Sequence, residues 1–409
     1  MLSQFSVKNF KSIRDEMTLD MQAAAISEHT DKVYKCSNNE GFLPVAAIYG
    51  PNGGGKSNVL QALHALDTKI LSPLYAAETG ANGGLGIKGG GIIPFAFDDN
   101  CKNNATEFEV FFMTERAEYR YRLNVIKDKI EYESLDMRKV ETNRTTAIFE
   151  RENGKITIGD VLKKIKVSED ISDSIPLLSY LGITYRRNEI IGDCISWFED
   201  RIRFLNYGNP TQELKLAIDN SSDRKTLILD MIKEMDLDIE DFRVEEQSMG
   251  DIRVFTRHSI AGKDYEINLS EESSGTKKIF GLLPFIAESL TKGITLVIDE
   301  LDAKIHPVLL KYIIMLYNDF SVNKRGAQLI FTSHDLSTMN SRLFRRDEIW
   351  FVAKGNEQNS KLYSLVEFKS PDGTSIRKDA KFDKQYLEGK YGADPYLKKI
   401  IDWGEIEDA

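Results

Sequence analysis

At 409 residues, 41% apolar and 29% charged, the chain has room for two or three domain-sized units, or for one large domain carrying an insertion. Its formal charge of −10 argues against a surface coated with phosphate-binding residues, so any nucleic-acid contact is left to a local patch or a partner. Cys36, Cys101 and Cys194 are widely spaced with no CxxC or Cys/His pattern, which argues against a disulfide framework or a zinc site and suits a reducing cytoplasm.

The start, Met1-Leu2-Ser3-Gln4-Phe5, lacks the charged-then-apolar order of a signal peptide, and no apolar run approaches the ~18 residues of a membrane helix. The expectation is a soluble, cytoplasmic protein with no membrane partner. Alternation of Phe5, Val7 and Phe10, then Met17, Leu19 and Met21, predicts two strands joined at 11–15. Pro44-Val45-Ala46-Ala47-Ile48-Tyr49 reads as a short buried strand, and Asn58 onward as an apolar-periodic helix.

Between them stands Gly50-Pro51-Asn52-Gly53-Gly54-Gly55-Lys56-Ser57, which meets the P-loop pattern GxxxxGK[ST] at every fixed position. Glycines let consecutive backbone N–H groups turn inward around a phosphate, and the helix N-terminus adds partial positive charge. The candidate nucleotide-binding residues here are Asn52, Gly53, Gly54, Gly55, Lys56, Ser57 and Asn58. Lys56 reaches the outer phosphates and the Ser57 hydroxyl ligates magnesium, which makes ATP and Mg2+ the expected ligands.

Residues 79–91 are too glycine-rich for regular structure and read as a loop. Phe108–Met113 and Tyr119–Val125 alternate around a turn at Glu115-Arg116-Ala117, a β-hairpin. Residues 159–237 look mostly helical, 242–269 return to strands, and Ile279 to Leu290 has helical periodicity behind Ser273-Ser274-Gly275. Thr295-Leu296-Val297-Ile298-Asp299-Glu300 has the Walker B form: an apolar strand, expected beside the P-loop strand, delivers Asp299 to the magnesium shell and Glu300 to the attacking water. A second apolar run ends in Phe331-Thr332-Ser333-His334-Asp335, where His334 is placed to contact a γ-phosphate. The resulting division is 1–140 and 242–409 as two halves of an ATPase head, with 141–241 as a mainly helical insertion.

In this order, the motifs resemble an ABC-type ATPase head of the SMC, RecF and OLD-like clade. Phe5-Ser6-Val7-Lys8-Asn9-Phe10-Lys11-Ser12-Ile13 is similar to that clade's first strand, and His306-Pro307 to the Leu-His-Pro that follows Walker B in OLD-like proteins. Ser274-Gly275-Thr276 lies where the signature motif sits, with Ser-Gly-Thr-Lys-Lys in place of the usual sequence; Asp302 stands where the D-loop begins, and His334 matches the switch histidine. The resemblance implies an α/β fold with N-terminal antiparallel strands, and catalytic roles for Glu300 and His334. It also implies magnesium ligation by Ser57 and Asp299, and a homodimer or higher homo-oligomer in which Ser274 and Gly275 of one subunit face the P-loop of another. The Q-loop glutamine is not placed; Gln61, on the P-loop helix, is not a candidate.

The insertion and the stretch Tyr386-Leu387-Glu388-Gly389-Lys390-Tyr391-Gly392-Ala393 resemble bacterial abortive-infection AAA ATPases of the RloA type, which commonly work with a separately encoded nuclease or other effector. The part after His334 is shorter than a typical ~100-residue domain and lacks an acidic metal cluster, so a nuclease is expected in trans. The leading expectation is an ATP-hydrolysing switch of anti-phage defence, with any nucleic-acid contact indirect. Aromatic residues such as Trp197, Phe198, Tyr386, Tyr391, Tyr396 and Trp403 are candidate anchors for the effector. The alternative is a DNA-repair or DNA-organising head, which needs a basic face; Arg186-Arg187, Arg201-Ile202-Arg203 and Arg345-Arg346 are the candidates. A transporter ATPase subunit fits the N-terminal strands and the insertion poorly.

Overall fold

The computed structural model of the chain describes residues 1–36, 39–80, 91–140, 144–168, 170–205, 222–235, 237–246, 252–369 and 373–393. Most of the 79–91 loop, Tyr396 and Trp403 lie outside these residues.

Strands β1 (Leu2–Lys8) and β2 (Met17–Asp20) pair antiparallel, as their alternation predicts. The turn between them is held by buried Asn9, whose left-handed backbone suits asparagine and whose amide bonds the carbonyls of Cys101, Asn104 and Ala105. A short ribbon, β3 (Tyr34–Lys35) with β4 (Gly41–Phe42), precedes β5 (Val45–Tyr49), every residue of which is buried. Helix α1 (Lys56–Thr79) follows, then α2 (Asp99–Asn103). Next comes a meander of β6 (Thr106–Met113), β7 (Ala117–Ile126), β8 (Lys129–Lys139), β9 (Thr145–Glu152) and β10 (Lys155–Ile158). With β1 and β2 it forms one antiparallel sheet in the order β10-β9-β8-β7-β6-β1-β2.

Helices α3 (Leu177–Tyr185) and α4 (Glu189–Asp200) lead into β11 (Ile202–Leu205). Helix α5 (Ser222–Glu234) comes before a three-stranded antiparallel sheet of β12 (Asp241–Glu246), β13 (Ile252–Ile260) and β14 (Lys263–Asn268). The chain continues through α6 (Ser274–Lys292), β15 (Thr295–Ile298), α7 (Pro307–Asn318), β16 (Gln328–Thr332), β17 (Ile349–Lys354), β18 (Ser360–Ser364) and α8 (Phe382–Leu387). The second large sheet runs β11-β15-β16-β5-β17-β18, parallel except for β18.

Parallel strands covered on both faces read as continuous apolar runs, and the alternation along β5 shows what covers each face. Ala46 and Ile48 belong to a core shared with the antiparallel sheet, α1, α3 and α4. Val45, Ala47 and Tyr49 belong to a second core with α5, α6 and α7. The α/β class and the N-terminal antiparallel strands are those expected of an ABC-type P-loop head.

Three expectations are corrected. The Walker B strand β15 is not beside the P-loop strand: β16 lies between them, pairing with both. The stretch 141–241 supplies strands as well as helices, because β9 and β10 extend the antiparallel sheet and β11 pairs with β15. Trp197, Phe198, Tyr386 and Tyr391 are buried core residues rather than surface anchors: Trp197 stacks on Phe112, and both tyrosines pack on Phe351.

Candidate functional site

The site forms at the carboxyl ends of three neighbouring parallel strands, where open α/β sheets characteristically bind ligands. The P-loop leaves β5, Asp299 and Glu300 leave β15, and Ser333 and His334 leave β16.

Two P-loop glycines are demanded by space. At Gly55, with φ of 108°, a Cβ would lie 2.3 Å from Ser360 Oγ and 2.6 Å from Ser12 Oγ. At Gly50 it would lie 2.4 Å from the Val352 carbonyl oxygen. The two serines belong to a chain of hydrogen bonds that fixes the loop. Asn58 Nδ2 donates to Ser12 Oγ at 2.7 Å, Ser12 Oγ lies 2.7 Å from Ser360 Oγ, and Ser360 donates to the Gly54 carbonyl at 2.6 Å. Asn52 and Gly53 stand exposed at the crest.

Lys56 is 6% exposed, and its ammonium donates to the carbonyls of Gly50 at 2.9 Å and Pro51 at 3.2 Å. Burial lowers its pKa, while the carboxylates of Asp299, Asp302 and Glu300 act in the opposite sense. Ser57 and Asp299 line one small cavity of about 20 Å³ together with His64 and Phe204, whose rings stack 4.6 Å apart. Both expected magnesium ligands therefore open onto the same space, although their strands are not adjacent. Among the described residues no cluster of three or more His, Cys, Asp or Glu is arranged to hold a metal. A hydroxyl and a carboxylate suit magnesium, which keeps several waters and binds largely through phosphates.

Thr332 organises the Walker B end. Its buried hydroxyl donates to Asp299 Oδ1 at 2.6 Å and accepts the Glu300 amide at 2.7 Å. Glu300 is exposed and left-handed, with φ of 50°, a conformation that costs a non-glycine residue ~1–3 kcal/mol and needs support from its surroundings. The backbone amide of exposed His334 donates to Asp302 Oδ2 at 3.1 Å, and Asp302 Oδ1 is buried without a partner among the described residues.

Ser273 caps α6 by accepting the Thr276 amide at 3.1 Å, which puts Ser274 and Gly275 in the first turn. Just before the cap, Glu272 Oε1 binds Thr256 Oγ1 at 2.7 Å and His258 Nε2 at 2.8 Å, tying the signature region to β13. Lys278 donates to the carbonyls of Glu300 and Ala303. Burial lowers its ammonium to about 8, with Asp302 and Glu300 opposing and Lys304 reinforcing the shift. None of the described hydrogen bonds joins Ser274 or Gly275 to the P-loop of the same chain.

Ser360 and the role of Thr332 escaped the sequence reading, and Lys278 was read only as a departure from the signature. Ser360 lies on a strand some 300 residues from the loop it pins and has no motif around it. Thr332 stood two residues from His334, inside a segment read only for its histidine. A wider cleft of about 590 Å³ near Met1, Arg116, Arg187 and Gly293 lies at the amino end of β15, the opposite end from the P-loop, and contains none of these residues.

Four of the six arginines in the candidate basic pairs are engaged within the chain, while Arg187 stands exposed. Arg345 is 1% exposed and bound to Asp347, and Arg346 is bound to Glu28. Arg186 is paired with Glu78 and Glu199, and Arg201 donates to the Lys292 carbonyl. No helix among the described residues is long and apolar enough to cross a membrane.

Residues 45–340, more than half of the chain, match the model of a family described as "AAA domain, putative AbiEii toxin, Type IV TA system". No curated protein sequence matches the chain significantly. Solved structures of SMC heads align over 89% of the chain. The SMC head domain from Thermotoga maritima does so at 17% identity, covering 98% of that chain with a TM-score of 0.43. An SMC head bound to the C-terminal winged-helix domain of ScpA gives 15% identity, 97% coverage of that chain and a TM-score of 0.47. An SMC head with an extended coiled coil bound to the C-terminal domain of ScpA, derived from Pyrococcus furiosus, gives 14%, 96% and 0.43.

Proposed function

The chain belongs to that AAA-domain family, a family of P-loop ATPases, and on this premise we propose that it is an ATP-hydrolysing switch whose nucleotide state controls a separately encoded effector. The observation that carries the ATPase reading is the cavity shared by Ser57 and Asp299, with the Thr332 hydroxyl fixing Asp299 and the Glu300 backbone together.

Lys56 leaves the Gly50 and Pro51 carbonyls for the outer phosphates, and the P-loop amides, set by Gly53 and Gly55, cradle them. Ser57 and Asp299 hold Mg2+, which supplies charge neutralisation at those phosphates. Glu300 orients the attacking water and accepts its proton, and His334 approaches the γ-phosphate from the β16 side. The γ-phosphate is closed off when two heads meet, so that Ser274 and Gly275 of one subunit, with the α6 N-terminus behind them, face the P-loop of the other. Asp302, with one oxygen buried and without a partner among the described residues, is the second group available at that junction.

The family description, which names a putative toxin of a toxin–antitoxin system, supports placing the chain in a toxin–antitoxin or abortive-infection setting; a nuclease as the effector is the expectation carried from the resemblance alone. A DNA-organising head would use the same ATPase chemistry but calls for a basic face, and four of the six arginines that suggested one are engaged by carboxylates or a carbonyl. The test of the nucleotide site is calorimetric titration with Mg·ATP: the wild type binds and Lys56→Ala does not. Equal binding by the two proteins rules the site out.

A further inference from the structure

The signature helix passes close to the catalytic loop of its own chain at Gly275 and is bonded to it through Lys278. Where Gly275 passes the loop, an added Cβ would lie 3.2 Å from the Lys304 carbonyl oxygen. One turn further along α6, Lys278 Nζ donates to the Glu300 carbonyl at 3.0 Å and to the Ala303 carbonyl at 2.5 Å. The bridged stretch is left-handed at Glu300, φ 50°, and the residue after it, Lys304, is left-handed too, φ 63°. Neither residue is glycine, so the shape of this loop depends on contacts made from outside it.

Those contacts come from two sides. The Thr332 hydroxyl on β16 accepts from the Glu300 N–H, and Lys278 on α6 donates to the Glu300 carbonyl. An ammonium carries three donors and no acceptor, which suits it to bridge two carbonyls. The neighbouring Lys277 turns the other way and donates to the Ser270 carbonyl at 3.1 Å, so the bridge is particular to Lys278 and not a general property of the basic pair.

We propose that Lys278 is a positioning residue for ATP hydrolysis: by bridging the Glu300 and Ala303 carbonyls it sets the direction in which the Glu300 carboxylate leaves the loop, and it links that carboxylate to the helix end bearing Ser274 and Gly275. The proposal rests on the ATPase reading of the same site. It adds a route by which whatever engages the first turn of α6 is felt at Glu300 within one subunit, through less than two turns of helix.

The experiment compares Lys278→Met and Lys278→Arg with the wild type. Three quantities are read: ATP turnover with Mg2+, ATP affinity by calorimetry, and amide hydrogen exchange of peptides spanning 299–306. Lys278→Met should lower kcat by ~10–100-fold, the scale on which a reacting group slightly out of place loses rate, while ATP affinity stays within about twofold. Exchange in 299–306 should quicken in the same variant. Lys278→Arg, whose guanidinium also spans two carbonyls, should recover kcat to within about fivefold. Wild-type kcat in Lys278→Met, or unchanged exchange in 299–306, overturns the proposal; so does an ATP affinity that falls as far as kcat, which would make Lys278 a nucleotide contact. A wild-type chain with no turnover overturns the ATPase reading itself, an outcome recognised from the parent protein before any variant is compared.

Discussion

Thr332→Val is the substitution whose consequences the geometry defines most narrowly. Valine keeps the volume of threonine and removes only the hydroxyl, which sits at 0% exposure between Asp299 and Glu300. Two effects follow from its loss. The Glu300 amide loses its acceptor, a cost of ~0.5–1.5 kcal/mol for one hydrogen bond at a donor only partly shielded from water. Asp299 loses the hydroxyl that holds its Oδ1 beside the cavity it shares with Ser57, and loss of such an outer-shell hydrogen bond typically weakens metal binding by ~10–100-fold. The assay is turnover against Mg2+ concentration at saturating ATP, with urea unfolding run in parallel. Thr332→Val should need ~10-fold or more Mg2+ for half-maximal rate, and Thr332→Ser, which keeps the hydroxyl, should stay within about threefold of the wild type. If valine leaves the Mg2+ requirement where it was, Thr332 does not organise the metal side of the site, and the reasoning that joins β15 to β16 through its hydroxyl is wrong.

A pH effect is expected from Glu348, which is fully buried, with burial holding its carboxyl well above the usual carboxylate range. The raised value means that the folded chain keeps a proton the unfolded chain has released. Stability from this group is therefore complete below pH 4.5 and lost as pH rises toward about 8, at no more than about 1.4 kcal/mol per pH unit. Glu348→Gln should flatten that fall in urea melts between pH 5 and 8; a parallel slope in the variant would show that the carboxyl does not titrate there. For the dimer, mixing Lys56→Ala subunits with Ser274→Arg subunits should regenerate one intact composite site per mixed pair and restore turnover. Activity no higher than that of either parent would mean that Ser274 does not act across subunits.

What the sequence made legible was whatever is encoded locally. The P-loop could be read because the glycines, Lys56 and Ser57 are consecutive and flanked by a five-residue apolar strand and a long periodic helix. Asp299, Glu300 and His334 were found because each closes a short buried strand. Strand order is not local: nothing in the composition of β15 or β16 says which of them lies against β5, and the structure put β16 there. Nor could burial of the aromatics be read from their type, since a tryptophan that anchors a partner and one that stacks on Phe112 look the same in sequence. Ser12 and Ser360 act together on Gly54 only because the β1–β2 turn and the start of β18 meet over the P-loop, a contact across nearly the whole chain. Lys278 was noticed as a departure from the expected signature, but its bond to the Walker B loop exists only once α6 is docked.

The central claim is that Glu300, leaving β15 in a left-handed turn held by Thr332, is the carboxylate that drives hydrolysis of ATP bound by Lys56 and Ser57. Phosphate release by Glu300→Gln, measured beside calorimetric ATP binding on the same preparation, addresses it most directly. The variant is predicted to bind ATP as the wild type does and to turn it over at least ~100-fold more slowly, the scale for losing a positioned acid–base group. Wild-type phosphate release from Glu300→Gln would contradict the account.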